Sequence, residues 1–139
     1  MNDDKPYDEN LKPSEQLQEA IIQAKKENKL VLIQIGGNWC GWCILLHKYM
    51  KENLEVRNTL NSKFILIEVC NGKENEFDKT YGPNMNEYPY LSIVSSDGKF
   101  IIGLNTGVLE EGKGYNQEKV LKFLNGGIIT KDGCSSNWN

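Results

Sequence analysis

Hydrophobic and polar positions follow two periods along this chain. Leu30-Val31-Leu32-Ile33-Gln34-Ile35 is a short, β-branched, almost unbroken apolar run that ends at Gly36-Gly37, the pattern of a strand covered on both faces. Phe64-Ile65-Leu66-Ile67-Glu68-Val69 repeats it and predicts a second buried strand. Ahead of the first strand, Leu17, Ala20, Ile21 and Ala24 recur at helical spacing behind Pro13-Ser14, which predicts an amphipathic helix. Between the strands, Ile44 to Met50 contain no helix breaker, and Val56 and Leu60 carry the helical pattern on as a short continuation. Strand, helix and strand in this order predict a parallel pair with a right-handed crossover.

The second half of the chain changes character. Residues 71–88 are polar and rich in Gly, Asn and Pro, with a helical turn expected around Phe77 and Tyr81. Tyr90-Leu91-Ser92-Ile93-Val94 and Phe100-Ile101-Ile102-Gly103-Leu104 flank Ser96-Asp97-Gly98-Lys99, a hairpin signal that adds an antiparallel edge. Val120, Leu121 and Leu124 share a face of a last helix that stops at Gly126-Gly127. The whole predicts one α/β domain over residues 14–127, a central mixed β-sheet flanked by helices and ending in a β-hairpin plus helix. Residues 1–13 read as a polar lead-in and 128–139 as a tail.

Composition narrows the function. A chain of 139 residues with 39% hydrophobic content builds one core and is too short for two ordinary domains. With 16 basic against 19 acidic residues its net charge is −3, which argues against nucleic acid as a partner. No apolar run approaches the roughly 20 residues of a membrane span. The chain is expected to act as a monomer.

Chemistry concentrates in Trp39-Cys40-Gly41-Trp42-Cys43, between the first strand and the second helix. Unsatisfied N–H groups and partial positive charge at a helix N-terminus favour a thiolate, so Cys40 is the expected nucleophile. Residues three apart share a helical face, which lets Cys43 reach back and close a ring with Cys40 as the resolving thiol. Zinc is not expected, because Cys70 and Cys134 stand alone and His47 is the single imidazole.

A strand, an aromatic-flanked C-x-x-C, a helix and a later isolated proline resemble the thioredoxin superfamily, over roughly residues 14 to 125, and within it small bacterial disulfide isomerases or reductases, many of them exported. The resemblance implies a thioredoxin-like domain and a thiol–disulfide oxidoreductase without an organic cofactor, working on protein disulfides or thiols with a separate redox partner. It implies a cis-proline at Pro89 facing the Cys pair, with the backbone of Tyr88 pairing to an extended substrate. No apolar signal core follows Met1, and the expectation is a periplasmic protein whose export signal has been replaced by an initiator methionine; a cytoplasmic protein is the alternative.

Departures from the family pattern add detail. The position where thioredoxins carry a buried aspartate, six residues before the first cysteine, is Gln34, and an amide cannot take a proton as a carboxylate can. Glu68 occupies the neighbouring-strand position where thioredoxins often have lysine. It is the candidate base, with its pKa raised by burial; the alternative is a carboxylate turned to solvent. Gly41-Trp42 replaces the Gly-Pro usual in thioredoxins. Trp39 and Trp42 are candidates for an apolar substrate rim, against plain packing around the helix. His47 could place a cation near the thiols, but its distance from Cys40 favours a surface or groove residue. Cys70 reads as a buried small hydrophobe, and Cys134 could pair with it or with another chain. The long segment 104–115 is expected to flank the Pro89 side of the site. A second reading of the whole is a thioredoxin-like binding module with a static disulfide and little turnover; a metal-handling protein is a third.

Overall fold

The computed structural model describes residues 3–130 and 133–139, with the side chains of 133–136 left aside. Four strands form the central mixed sheet, β1 (Leu30–Gly36), β2 (Phe64–Cys70), β3 (Tyr90–Val94) and β4 (Phe100–Asn105), in the order β2-β1-β3-β4. β1 and β2 run parallel with Gln34 opposite Glu68 and Gly36 opposite Cys70, while β3 lies antiparallel to β1 and to β4. Five helices flank the sheet: α1 (Pro13–Glu27), α2 (Gly41–Glu52), α3 (Leu54–Lys63), α4 (Asn75–Tyr81) and α5 (Gln117–Leu124).

The period-two alternation of β1 divides the core. Val31, Ile33 and Ile35 pack with Leu17, Ala20 and Ala24 of α1 and with Phe77 of α4. Leu32 faces the other way, into a cluster with Leu46 and Met50 of α2, Val56 and Leu60 of α3 and Phe123 of α5. One-residue parity therefore puts Gln34 and Gly36 on the α2 side of the sheet, beneath the cysteines.

Three segments differ from the pattern read in the sequence. The helix after Cys43 does not simply continue: Asn53 turns extended (φ −77°, ψ 113°) and its side chain accepts from Val56 N–H, capping α3 as a separate helix. The lead-in is anchored, because Tyr7 is 1% exposed and belongs to the cysteine cluster. Residues 128–139, expected as a tail, carry a hairpin of β7 (Gly127–Thr130) and β8 (Gly133–Asn137). Ile129 is buried in the main core, and the Trp138 indole N–H donates to Phe123 C=O at 2.7 Å, so apolar side chains hold this end in place. Segment 104–115 contains a 3₁₀ turn (Thr106–Leu109) and a ladder of β5 (Glu110–Glu111) with β6 (Gly114–Tyr115).

Candidate active site

Cys40 is the N-cap of α2. Its backbone is extended (φ −103°, ψ 111°), the helix begins at Gly41, and its sulfur accepts from Cys43 N–H at 3.2 Å. The sulfur thus takes the place of the oxygen that usually satisfies a first-turn N–H. Cys40 and Cys43 carry free thiols and are unequally covered, 8% and 0% exposed, so an external disulfide meets Cys40 first. Burial pushes the Cys43 thiol up to about 12, with its hydrogen bond to Cys40 adding to the rise and contacts to the Gly37 backbone and the Tyr7 side chain opposing it.

The floor beneath Cys43 is made by β1 and by the N-terminal segment. A Cβ on Gly36 would stand 2.3 Å from Cys43 Sγ and 3.0 Å from Tyr7 Oη, so only glycine leaves room for both. Gln34 is fully buried, and its Nε2 donates to Tyr7 Oη at 2.8 Å and to Cys43 C=O at 3.1 Å. Asn38, just before the motif, clamps the backbone of Tyr7: its Oδ1 accepts from Tyr7 N–H at 3.0 Å and its Nδ2 donates to Tyr7 C=O at 2.7 Å. Burial, reinforced by the neighbouring Cys43 and Glu68, holds the Tyr7 hydroxyl well above the ordinary tyrosine value, so it stays protonated.

Glu68 lies on the sheet face of Gln34 with its side chain only 12% exposed, so it does not turn to solvent. Its Oε2 meets His47 Nδ1 at 2.8 Å, and His47 Nε2 meets Asp3 Oδ1 at 3.1 Å. The structure therefore sets Glu68, the candidate base, against His47 and puts Tyr7 against Cys43. His47 is the centre of an acid–imidazole–acid chain and lines a groove, which fits the groove half of the surface-or-groove expectation. A groove of about 290 Å³ opens beside this pair over Met50, Leu60, Phe64 and Leu66, and the thiols lie outside its lining.

Burial raises the Glu68 pKa, against the pull of His47. The folded chain then holds this proton more tightly than the unfolded one. Its stabilising effect is complete below the ordinary carboxylate value and is lost as pH rises through the raised one. Urea unfolding at a series of pH values is expected to show the parent losing stability relative to Glu68→Gln across that window. A difference that stays flat from mildly acidic to neutral pH contradicts this.

Around the thiols stands an aromatic rim. Trp39 is 63% exposed and meets Tyr88 edge-on, ring centroids 5.2 Å apart, while Trp42 is half-buried and edge-on to Tyr115 at 5.6 Å. Trp39 thus fits the substrate-rim reading, whereas Trp42 also packs into the core. The Tyr88–Pro89 peptide bond is cis, Pro89 is buried, and its carbonyl accepts from Thr106 Oγ1 at 2.5 Å. Tyr88 Oη accepts from Asn71 Nδ2 at 3.0 Å, and Tyr115 Oη donates to Trp42 C=O at 3.2 Å. Segment 104–115 therefore reaches both sides of the site. Cys70 is buried in one cluster with Tyr7, Cys40 and Cys43, and burial raises its thiol pKa. The side chain of Cys134, and with it the two pairings considered for it, lies outside the described residues.

Comparison with known proteins gives the family and the fold. Residues 7–92 match the model of a family given as Thioredox_DsbH, protein of unknown function, DUF255. The chain is similar to the crystal structure of a disulphide isomerase from Xylella fastidiosa Temecula1, with a TM-score of 0.72 and 27% identity over 86% of this chain and 94% of that one. A thioredoxin from Thermus thermophilus shares the fold, with a TM-score of 0.59 and 17% identity over 78% of this chain and 80% of that one. Mouse spermatogenesis-associated protein 20 is 36% identical over 64 residues, which are 46% of this chain and 8% of that protein. The chain therefore matches only a small part of that curated relative.

Proposed function

The chain belongs to the Thioredox_DsbH family within the thioredoxin superfamily, and from that premise we propose that it is a thiol–disulfide oxidoreductase that reduces or isomerises protein disulfides through Cys40 and Cys43. The observation that carries this reading is the thiol pair at the start of α2, with Cys40 capping the helix and Cys43 sealed behind it. Two free thiols so placed supply both an attacking and a resolving sulfur.

In this reading Cys40 thiolate attacks one sulfur of a substrate disulfide. The substrate S–S bond breaks, a Cys40–substrate disulfide forms, and the other substrate sulfur leaves as a thiolate and takes up a proton. Cys43 then loses its proton and attacks Cys40 Sγ. The Cys40–Cys43 disulfide forms and the second substrate sulfur leaves as a thiol. Two electrons pass from the dithiol to the substrate, and a dithiol partner must return them. Trp39, Trp42, Tyr88 and Pro89 form the surface that receives the polypeptide around the mixed disulfide. Glu68, bonded to His47, acts on this step through its charge near Tyr7 and not as the acceptor of the Cys43 proton.

The test is a redox titration in graded glutathione buffers, with Cys70 and Cys134 replaced by serine and free thiols counted by alkylation and mass. The expected result is one two-thiol couple. A midpoint near about −270 mV marks a reductase, and one near about −180 to −120 mV an isomerase or oxidant. A pair that stays oxidised through every buffer defeats the proposal and favours a static disulfide.

A further inference from the structure

The N-terminal segment runs along α2 and delivers one side chain to the thiols. Asp3 is bonded to His47 and to Lys51, Asp4 to Lys48, and the backbone of Tyr7 is held at both its N–H and its C=O by Asn38. Such bonding fixes a side chain in place, and Tyr7 ends at 1% exposure against Cys43.

The direction of the Tyr7 proton follows from its neighbours. The atom of Gln34 that lies 3.1 Å from Cys43 C=O has to be the amide nitrogen, because the reverse orientation would set two acceptors against each other. That same nitrogen lies 2.8 Å from Tyr7 Oη, so the phenol oxygen is the acceptor in this contact. Its own proton is then directed elsewhere. Gly36 has no Cβ, and the position one would occupy is 2.3 Å from Cys43 Sγ and 3.0 Å from Tyr7 Oη, so sulfur and hydroxyl share one small space. With Gln34 occupying the phenol oxygen, the O–H is left to face this space and the sulfur that shares it.

We infer that Tyr7 is the hydrogen-bond donor that stabilises Cys43 as a thiolate while it attacks the Cys40–substrate disulfide, so that the N-terminal segment supplies a catalytic residue. The inference rests on the reading of Cys40 and Cys43 as an exchanging pair. Gln34 positions the donor: its N–H occupies the phenol oxygen and leaves the O–H for sulfur. The amide that stands where the superfamily keeps a carboxylate thus works by aiming a neighbour and not by taking a proton. Tyr7 does not become the base, since its own proton is strongly held. The proton of Cys43 passes to solvent and the departing substrate thiolate takes one up, which balances the step.

The titratable groups packed around Cys43 are Cys40 at the start of its own helix, Tyr7 from the N-terminal segment, Cys70 from β2 and Tyr115 from β6, with Glu68 of β2 near Tyr7. Tyr7→Phe removes the hydroxyl and keeps the ring in the pocket. In single-turnover reactions with a disulfide-bonded peptide, Tyr7→Phe is expected to form the Cys40 mixed disulfide at the parent rate. Its resolution is expected to slow about ten- to a hundred-fold, the range for losing a hydrogen bond to a charged group. The pH profile of that step is expected to move to higher pH, a change that a role in packing alone does not produce. Gln34→Leu is expected to slow the same step by less.

A second measurement keeps the test independent of turnover. In Cys40→Ser, with Cys70 and Cys134 also replaced by serine, thiolate absorbance near 240 nm reports Cys43 ionisation directly. Adding Tyr7→Phe is expected to shift that titration upward. Equal resolution rates and coincident titrations with and without the hydroxyl overturn the role of Tyr7. Failure of the parent itself to form a mixed disulfide overturns the oxidoreductase reading instead, and the absorbance titration still decides the hydrogen bond.

Discussion

Cys40→Ser is expected to lose disulfide-reducing turnover to on the order of a thousandth of the parent rate or less, whereas Cys43→Ser keeps the first attack and loses the second. The two outcomes follow from unequal positions. Cys40 is the N-cap of α2 with its sulfur still partly open, and serine is itself a good N-cap, so the substitution removes the nucleophile without unwinding the helix. The effect is therefore chemical. Cys43 is sealed at 0% exposure, and its backbone N–H, not its side chain, makes the bond to Cys40 Sγ. Cys43→Ser leaves that N–H in place. Pre-reduced protein mixed with a disulfide-bonded protein substrate and no added reductant checks both variants: Cys40→Ser releases no substrate thiol on the parent's time scale, and Cys43→Ser releases one per chain and stops at the mixed disulfide.

Gly36→Ala is expected to lower stability and slow resolution together through a single methyl group. The added carbon would lie 2.3 Å from Cys43 Sγ, 3.4 Å from Cys43 Cβ and 3.0 Å from Tyr7 Oη. The first distance is well inside contact, and none of these neighbours is free to move. Cys43 is fixed in the first turn of α2 and Tyr7 is clamped by Asn38. Overpacking of this kind costs about 1–3 kcal/mol, and relief by moving Cys43 takes the resolving sulfur out of line. Urea unfolding is expected to show that loss together with slower release of the mixed disulfide. Gly41→Ala is the control, because its Cβ meets nothing within 4 Å, and it is expected to stay within about 0.5 kcal/mol of the parent. Comparable losses in the two variants contradict the account.

Elements whose signal is local were legible in the sequence. The apolar runs at 30–35 and 64–69 became β1 and β2, and the turn residues at 96–99 became the link between β3 and β4. The cysteines were placed correctly at the helix start, because Gly36-Gly37 ends a strand and nothing after Cys43 breaks a helix. Pro89 is cis, as the resemblance implied. Glu68 stands opposite Gln34 on the neighbouring strand, as the resemblance implied.

What escaped depends on contacts between distant residues. Tyr7 sits in a polar stretch with no periodicity, and only packing over 36 positions of sequence brings it to Cys43; the one available hint was a lone aromatic beside Pro6 among charged residues. His47 is spaced correctly for the α2 face over β2, yet its partners come from β2 and from residue 3. The C-terminal hairpin is short and polar, and it is held by Ile129 and Trp138 fitting a core built by other elements. In each case burial is decided by the assembled fold and not by the local run of residues.

The most direct measurement is to mix Cys43→Ser, with Cys70 and Cys134 left in place, with a disulfide-bonded peptide, quench with acid, digest, and map the adduct by mass. The account predicts one stoichiometric adduct, on Cys40, released by dithiothreitol. An adduct on Cys70 or Cys134, or none at all, would contradict it.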